Sequence, residues 1–206
     1  MDNRKVIGLT GVYCTGKNHV ARLLEKWDLP VLDADKLGHK VIETEKEQII
    51  SRFGSDILGM GGTIDRKLLG ARVFGKPEEL AALENIVHPA VNRETLVWIH
   101  AQTAKACVIN AALLHHSSAF DELDAVIIVE APFLVRLLRA RKRDHLPLGA
   151  LLKRFRSQRD FYAQYLKGKT DIYRVGNSGY FGFSSRLLEK KLEIRIDEIL
   201  SRLGIL

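Results

Sequence analysis

Cysteine is scarce. Cys14 and Cys107 are the only two in 206 residues, with no CxxC or Cys/His metal spacing around them, which argues against a disulfide framework and a structural zinc. Long apolar runs are missing too. Hydrophobic residues make up 46 % of the chain, yet no stretch approaches the roughly 20 residues needed to cross a bilayer. The start, "MDNRKVIGLTGVYC", has a short apolar segment but no small-residue cleavage site. No internal repeat, low-complexity tract or linker interrupts the sequence. The expectation is a soluble, cytoplasmic protein with one sizeable core and room for a small inserted domain.

Charge is plentiful in one place. Residues 136–159 hold nine Lys or Arg against a single acid, Asp144, a net of +8, which leaves −1 for the rest of a chain whose total is +7. A concentrated patch attracts nucleic acid, an acidic membrane or the phosphates of a small substrate. No nucleic-acid-binding motif accompanies this one. Phe161, Tyr162 and Tyr165 fall at helical spacing and read as packing rather than a base-stacking platform.

Short apolar runs alternate with helical patterns. Strands are expected at 5–10, 30–35, 107–113, 125–131 and 171–175, and such an alternation implies a parallel α/β sheet. "KNHVARLLEKW" places Val20, Leu23, Leu24 and Trp27 on one helical face. One helix is expected over 36–53. Another begins near residue 77, which Pro89 should end or kink. A last helix closes the chain, and "GMGG" at 59–62 reads as a turn. About seventy residues separate the second and third strands, more than one crossover needs. Residues 36–105 therefore read as a helical insertion beside the sheet.

The most informative stretch is "GVYCTGKN". Gly11, Gly16 and Lys17 satisfy G-x-x-x-x-G-K-[ST], but Asn18 stands where a hydroxyl should help hold magnesium. The loop leaves an apolar strand and enters an amphipathic helix. Glycines there let backbone N–H groups converge on phosphate oxygens, and the helix N-terminus adds partial positive charge. Lys17 adds a full one. Asn18 could offer an amide oxygen to the metal or merely cap the helix. Cys14 could make the loop sensitive to oxidation if its thiolate is populated. After the second strand, "DAD" supplies Asp33 and Asp35. Carboxylates at a strand's carboxyl end face the ligand crevice. Asp33 could take a proton from an attacking hydroxyl or hold metal-bound water. Asp35 could cap the next helix instead, and His39 lies on the same helical face as Asp35. Adjacent histidines at 115 and 116 point different ways and are not read as a metal site.

An ordered set of segments resembles the dephospho-coenzyme A kinase family along almost the whole chain: "IGLTG…GK" (7–17), "VLDADKLGH" (31–39), "FGSDIL" (53–58), "GTIDRKLLGARVF" (62–74), "ENIVHPAV" (84–91), "VIIVEAP" (126–132) and "NSG" (177–179). The resemblance implies a three-layer P-loop kinase fold with a five-stranded parallel sheet, a helical acceptor domain at 36–105 and a helical lid at 136–165. It implies ATP and magnesium as cofactors. It also implies transfer of the γ-phosphoryl to the ribose 3′-hydroxyl of dephospho-coenzyme A. Neither a nucleic acid nor a membrane is expected as partner.

Carried over by position, Gly11, Val12, Tyr13, Cys14, Thr15, Gly16, Lys17, Asn18 and His19 match the ATP loop and its exit. Asn177 and Gly179 match the loop near the adenine. Asp33 matches the proposed base, and Asp33, Asp35, His39, Arg66, His88 and Arg154 form the substrate-binding set. Arg143 matches the lid arginine, with Arg154 or Arg156 beside it as a candidate for phosphate contact. Two places depart: "GVYCTGKNH" stands where the family usually has "GGIGSGKST", and "ALLHH" (112–116) where it usually has "PLLFE". The alternatives are a kinase for another nucleotide or nucleoside, or a nucleotide-binding protein without turnover.

Overall fold

The apolar runs become strands, the three central ones buried on both faces. In the computed structural model, which describes residues 4–112, 114, 118–158, 161–165, 170–179 and 185–206, five strands form one sheet: β1 (Lys5–Thr10), β2 (Val31–Asp33), β3 (Ala106–Asn110), β4 (Ala125–Glu130) and β5 (Asp171–Gly176). Their order is β2-β3-β1-β4-β5, and β1 pairs in parallel with β3 and β4, as β4 does with β5. Val126, Ile127, Ile128 and Val129 are almost wholly inaccessible, which is why β4 reads as a continuous apolar run rather than an alternating one.

Helix α1 (Lys17–Glu25) and the closing helix, here α9 (Ser185–Arg202), share a core with one face of the sheet. Val20, Leu23 and Leu24 of α1 meet Leu192, Ile196, Ile199 and Leu200 of α9 there. Burying each such side chain contributes roughly 2 kcal/mol. This packing fixes the start of α1 against the end of β1. Between β4 and β5 run α6 (Phe133–Asp144), α7 (Leu148–Arg156) and α8 (Phe161–Tyr165).

The chain divides into two compact units, residues 1–32 with 102–206 and residues 33–101. The second contains α2 (Ala34–Thr44), α3 (Lys46–Phe53), α4 (Arg66–Val73) and α5 (Pro77–His100). It has a core of its own around Ile49, Phe53, Ile57, Ile64, Leu69 and Val73. Gly59–Gly62 forms the expected turn, closed by the antiparallel bridge Leu58–Ile64.

Two helical expectations change. The single helix over 36–53 breaks at Glu45 (φ −93°, ψ 19°), whose carboxylate accepts from Gln48 Nε2 at 2.7 Å and Arg93 Nη2 at 3.1 Å. Pro89, in contrast, does not end its helix, which is continuous to His100. Proline removes one backbone donor and crowds the preceding turn, and the packing of α5 against α2, α3 and α4 sustains the helix across it.

Candidate active site

The loop between β1 and α1 holds two left-handed residues two positions apart, Cys14 at φ 63° and Gly16 at φ 88°. A left-handed non-glycine residue costs roughly 1–2 kcal/mol. The bend is held by Thr15, whose N–H and hydroxyl both donate to the carbonyl of Val12, at 3.2 and 3.0 Å. Such turns aim successive N–H groups into a concavity suited to anions. Gly16 is the N-cap of α1, and a Cβ there would lie 2.3 Å from Asn177 Nδ2. Glycine is therefore required twice over, for φ and for space. Beyond it, the first-turn N–H groups at Lys17 and Asn18 have no intrahelical acceptor. Lys17 Nζ donates to Asn110 Oδ1 at 3.1 Å, and Asn110 Nδ2 donates to Asn18 Oδ1 at 3.0 Å.

Arg139 of α6 joins this loop to the one after β5. Its Nη1 donates to the carbonyls of Thr15 (2.9 Å) and Cys14 (3.3 Å). Its Nη2 donates to the carbonyls of Asn177 (3.0 Å) and Gly179 (3.2 Å) and to Asn177 Oδ1 (3.3 Å). Asn177 closes the ring by donating from Nδ2 to Thr15 O at 2.9 Å. Beside it opens a cavity of about 240 Å³ lined by Gly16, His19, Arg139, Asn177, Gly179, Leu188, Glu189 and Leu192. Leu188 and Leu192 give it an apolar wall. The His19 imidazole lies 3.9 Å from the Glu189 carboxylate, and burial pushes its pKa below the usual value.

A second cluster surrounds Tyr13. Its hydroxyl donates to Asp144. Arg143 lies 5.0 Å and Arg154 5.7 Å from the centre of its ring, distances at which a cation is held by the aromatic face. Asp144 also accepts from Arg143 Nε at 2.7 Å and Arg154 Nη1 at 3.2 Å. The hydrogen bond from Arg143 holds the Asp144 carboxyl down to about 2. Burial, then the Asp144 carboxylate, pushes the Tyr13 phenol up. Arg136 donates to Tyr13 O at 2.9 Å and lies 4.7 Å from the Phe155 ring centre. The two arginines expected to meet phosphate are thus both held against Tyr13 and Asp144. Arg156 lines a separate cavity of about 290 Å³ with Phe133, Arg136, Leu152 and Phe155. Cys14 is half-buried, and burial raises its pKa. That depletes the thiolate and counts against the expected oxidation sensitivity.

The remaining candidates belong to the second unit. Asp33 caps α2, its Oδ1 accepting from the Lys36 N–H at 3.1 Å, with Lys36 Nζ 3.7 Å from Oδ2. This corrects the reading of Asp35 as the cap: Asp35 lies inside the first turn, exposed. His39 of α2, Arg66 at the start of α4 and His88 of α5 are exposed as well. Asp65, the residue before Arg66, starts α4 by accepting the N–H of Lys67 at 2.7 Å.

The sequence model described as dephospho-CoA kinase matches residues 5–172. A Treponema pallidum dephospho-CoA kinase is 31 % identical over 98 % of this chain and 96 % of its own. The chain belongs to the dephospho-CoA kinase family. A crystal structure from Thermus thermophilus matches with a TM-score of 0.75 at 30 % identity, covering 95 % of this chain and 97 % of that one. The dephospho-CoA kinase from Campylobacter jejuni matches with a TM-score of 0.62 at 25 % identity, covering 98 % of both chains. The fold is α/β and P-loop kinase-like.

Against this family background, magnesium does not fit the loop as expected. P-loop enzymes hold the ion with a loop Ser or Thr hydroxyl and a strand-end Asp. Here Asn18 stands in the first turn of α1 and β3 ends on Asn110. Both amide oxygens already face N–H donors. These residues offer neither hydroxyl nor carboxylate to a hard cation. Asn18 is not the helix cap, since Gly16 has that place.

Two residues of the candidate site escaped the sequence reading. Asn110 had one signal, an isolated polar side chain ending an apolar strand, and it is buried. Arg139 had none, being one of nine basic residues in its segment. The histidines at 115 and 116 lie outside the described residues. Among the described residues no helix is long and apolar enough to cross a membrane.

Proposed function

We propose that the protein transfers the γ-phosphoryl of ATP to the ribose 3′-hydroxyl of dephospho-coenzyme A, giving coenzyme A and ADP, the last step of coenzyme A biosynthesis. The carrying observation is Lys17, held by buried Asn110 at the start of α1, next to a cavity of nucleoside size. In this reading the loop N–H groups and Lys17 take the phosphates, and the cavity beside Asn177 and Gly179 takes the base. Asp33 accepts the proton of the 3′-hydroxyl. A bond forms from that oxygen to the γ-phosphorus, and the bond from phosphorus to the β,γ-bridging oxygen breaks, its electron pair leaving with ADP. Phosphoryl transfer of this kind is chiefly positioning and charge neutralisation.

Residues 36–105, with Asp35, His39, Arg66 and His88, are the proposed acceptor region. Residues 136–165 are the proposed lid, whose Arg143 and Arg154 neutralise charge on the transferring group. Dependence on ATP suits a cytoplasmic setting. Magnesium enters as the counter-ion of the nucleotide.

Incubation of the purified chain with ATP, magnesium and dephospho-coenzyme A, read by mass, tests the proposal. A product heavier by one phosphoryl group, equal to coenzyme A, is expected. Product with another nucleotide or nucleoside only, or ATP binding without any product, would overturn it.

A further inference from the structure

The lysine dictates which way both amides point. An ammonium group only donates, so the Asn110 atom 3.1 Å from Lys17 Nζ is the oxygen. The Asn110 nitrogen then lies on the other side and donates to Asn18, which must present its own oxygen at 3.0 Å. Polarity runs one way, from Lys17 through Asn110 to Asn18. Burial of Asn110 locks the middle of this relay, because a turned amide would set donor against donor at the ammonium.

The result at Asn18 is specific. One lone pair of its oxygen is taken by Asn110, and the residue is exposed in the first turn of α1, with two hydrogens on Nδ2 at the other end of the amide. An amide oxygen that already takes an N–H suits poorly a small cation that demands octahedral geometry and gives up water reluctantly. The outward edge of the side chain is a donor pair. Donors at this end of a helix match phosphate oxygens.

We propose that Asn18 donates directly to a phosphate oxygen of the bound nucleotide, oriented by the Lys17–Asn110 relay, so that this loop grips ATP without a metal ligated by the protein. The inference deepens the proposed function and rests on its reading of the loop as the ATP site. Asn18 here replaces a contact made through an ion with a direct one. The loop then distinguishes nucleotides by their phosphates, whether or not magnesium accompanies them.

Calorimetric titration of ATP into the full chain, once with millimolar magnesium and once with excess EDTA, tests this. The Kd should agree within about threefold between the two buffers. Asn18→Ser, at an exposed position, replaces the two-hydrogen amide by a shorter hydroxyl that reaches less far toward a phosphate oxygen but suits magnesium. It should weaken binding in EDTA about tenfold, the effect of one hydrogen bond to a charged group, and regain affinity with magnesium. Asn110→Asp keeps the shape and the contact with Lys17, but its second oxygen forces the Asn18 amide to turn over. ATP binding should then become magnesium-dependent in this variant too. Wild-type binding that falls tenfold or more in EDTA overturns the inference while sparing the proposed function. So does an Asn18→Ser variant with unchanged affinity in EDTA. No heat in either buffer overturns both.

Discussion

Replacing Arg139 with methionine keeps the aliphatic stem and removes the guanidinium that joins the loop after β1 to the loop after β5. Two of its hydrogen bonds are short, to Thr15 O at 2.9 Å and Asn177 O at 3.0 Å. A hydrogen bond from a charged donor contributes about 1.5 kcal/mol at the low end of its range. The three longer ones, at 3.2–3.3 Å, add little, because water reaches the freed carbonyls of this half-buried site. The loss is then about 3 kcal/mol, and in a chain of this length each kcal/mol moves Tm by about 2–4 °C. Thermal unfolding followed by circular dichroism should show a fall of about 6–12 °C. Affinity for ATP should also fall, by about tenfold, since Thr15 and Asn177 lose their shared anchor. A variant with Tm within about 2 °C of wild type and unchanged ATP affinity would refute the clamp and its role in shaping the cavity.

Gly16→Ala forces a side chain into φ 88° and within 2.3 Å of Asn177 Nδ2; a loss of about 2 kcal/mol in denaturant titration and at least a tenfold weaker Kd for ATP are expected. The carboxyl of Asp144, held down to about 2 by its bond from Arg143, ionises near pH 4 in an unfolded chain. Its contribution to stability is therefore present above about pH 4 and lost as pH falls toward about 2. Asp144→Asn should be less stable than wild type at neutral pH, with the gap closing over that acid window when midpoints are compared.

How much could be read without coordinates followed the range of the interactions. The strand–loop–helix unit around Lys17 was legible because glycine spacing and an apolar run are local signals. The break at Glu45 was not, because the bond from Arg93 arrives from 48 positions away. Nor was continuity through Pro89, which depends on what α5 packs against. The capping exchange between Asp33 and Asp35 turned on where β2 ends, a matter of two residues: expected to reach 35, it stops at 33. In the candidate site the same rule holds. Lys17 was named by its motif, while its partner Asn110 lies 93 residues on. Arg139 and its carbonyl acceptors are 38 to 125 positions apart, a separation no window of sequence spans.

The ring of Tyr13 lies near two guanidinium groups, and a single carboxylate holds both. Each of those long side chains would otherwise roam many rotamers in solvent, since more than half of its area remains open. Holding one such chain costs about 0.5–1.5 kcal/mol of motional freedom when it happens during association. Here that restriction is imposed as the chain folds. In the proposed reaction an arriving phosphate meets guanidinium groups already arranged, and what it must supply is the exchange of one carboxylate for its own oxygens.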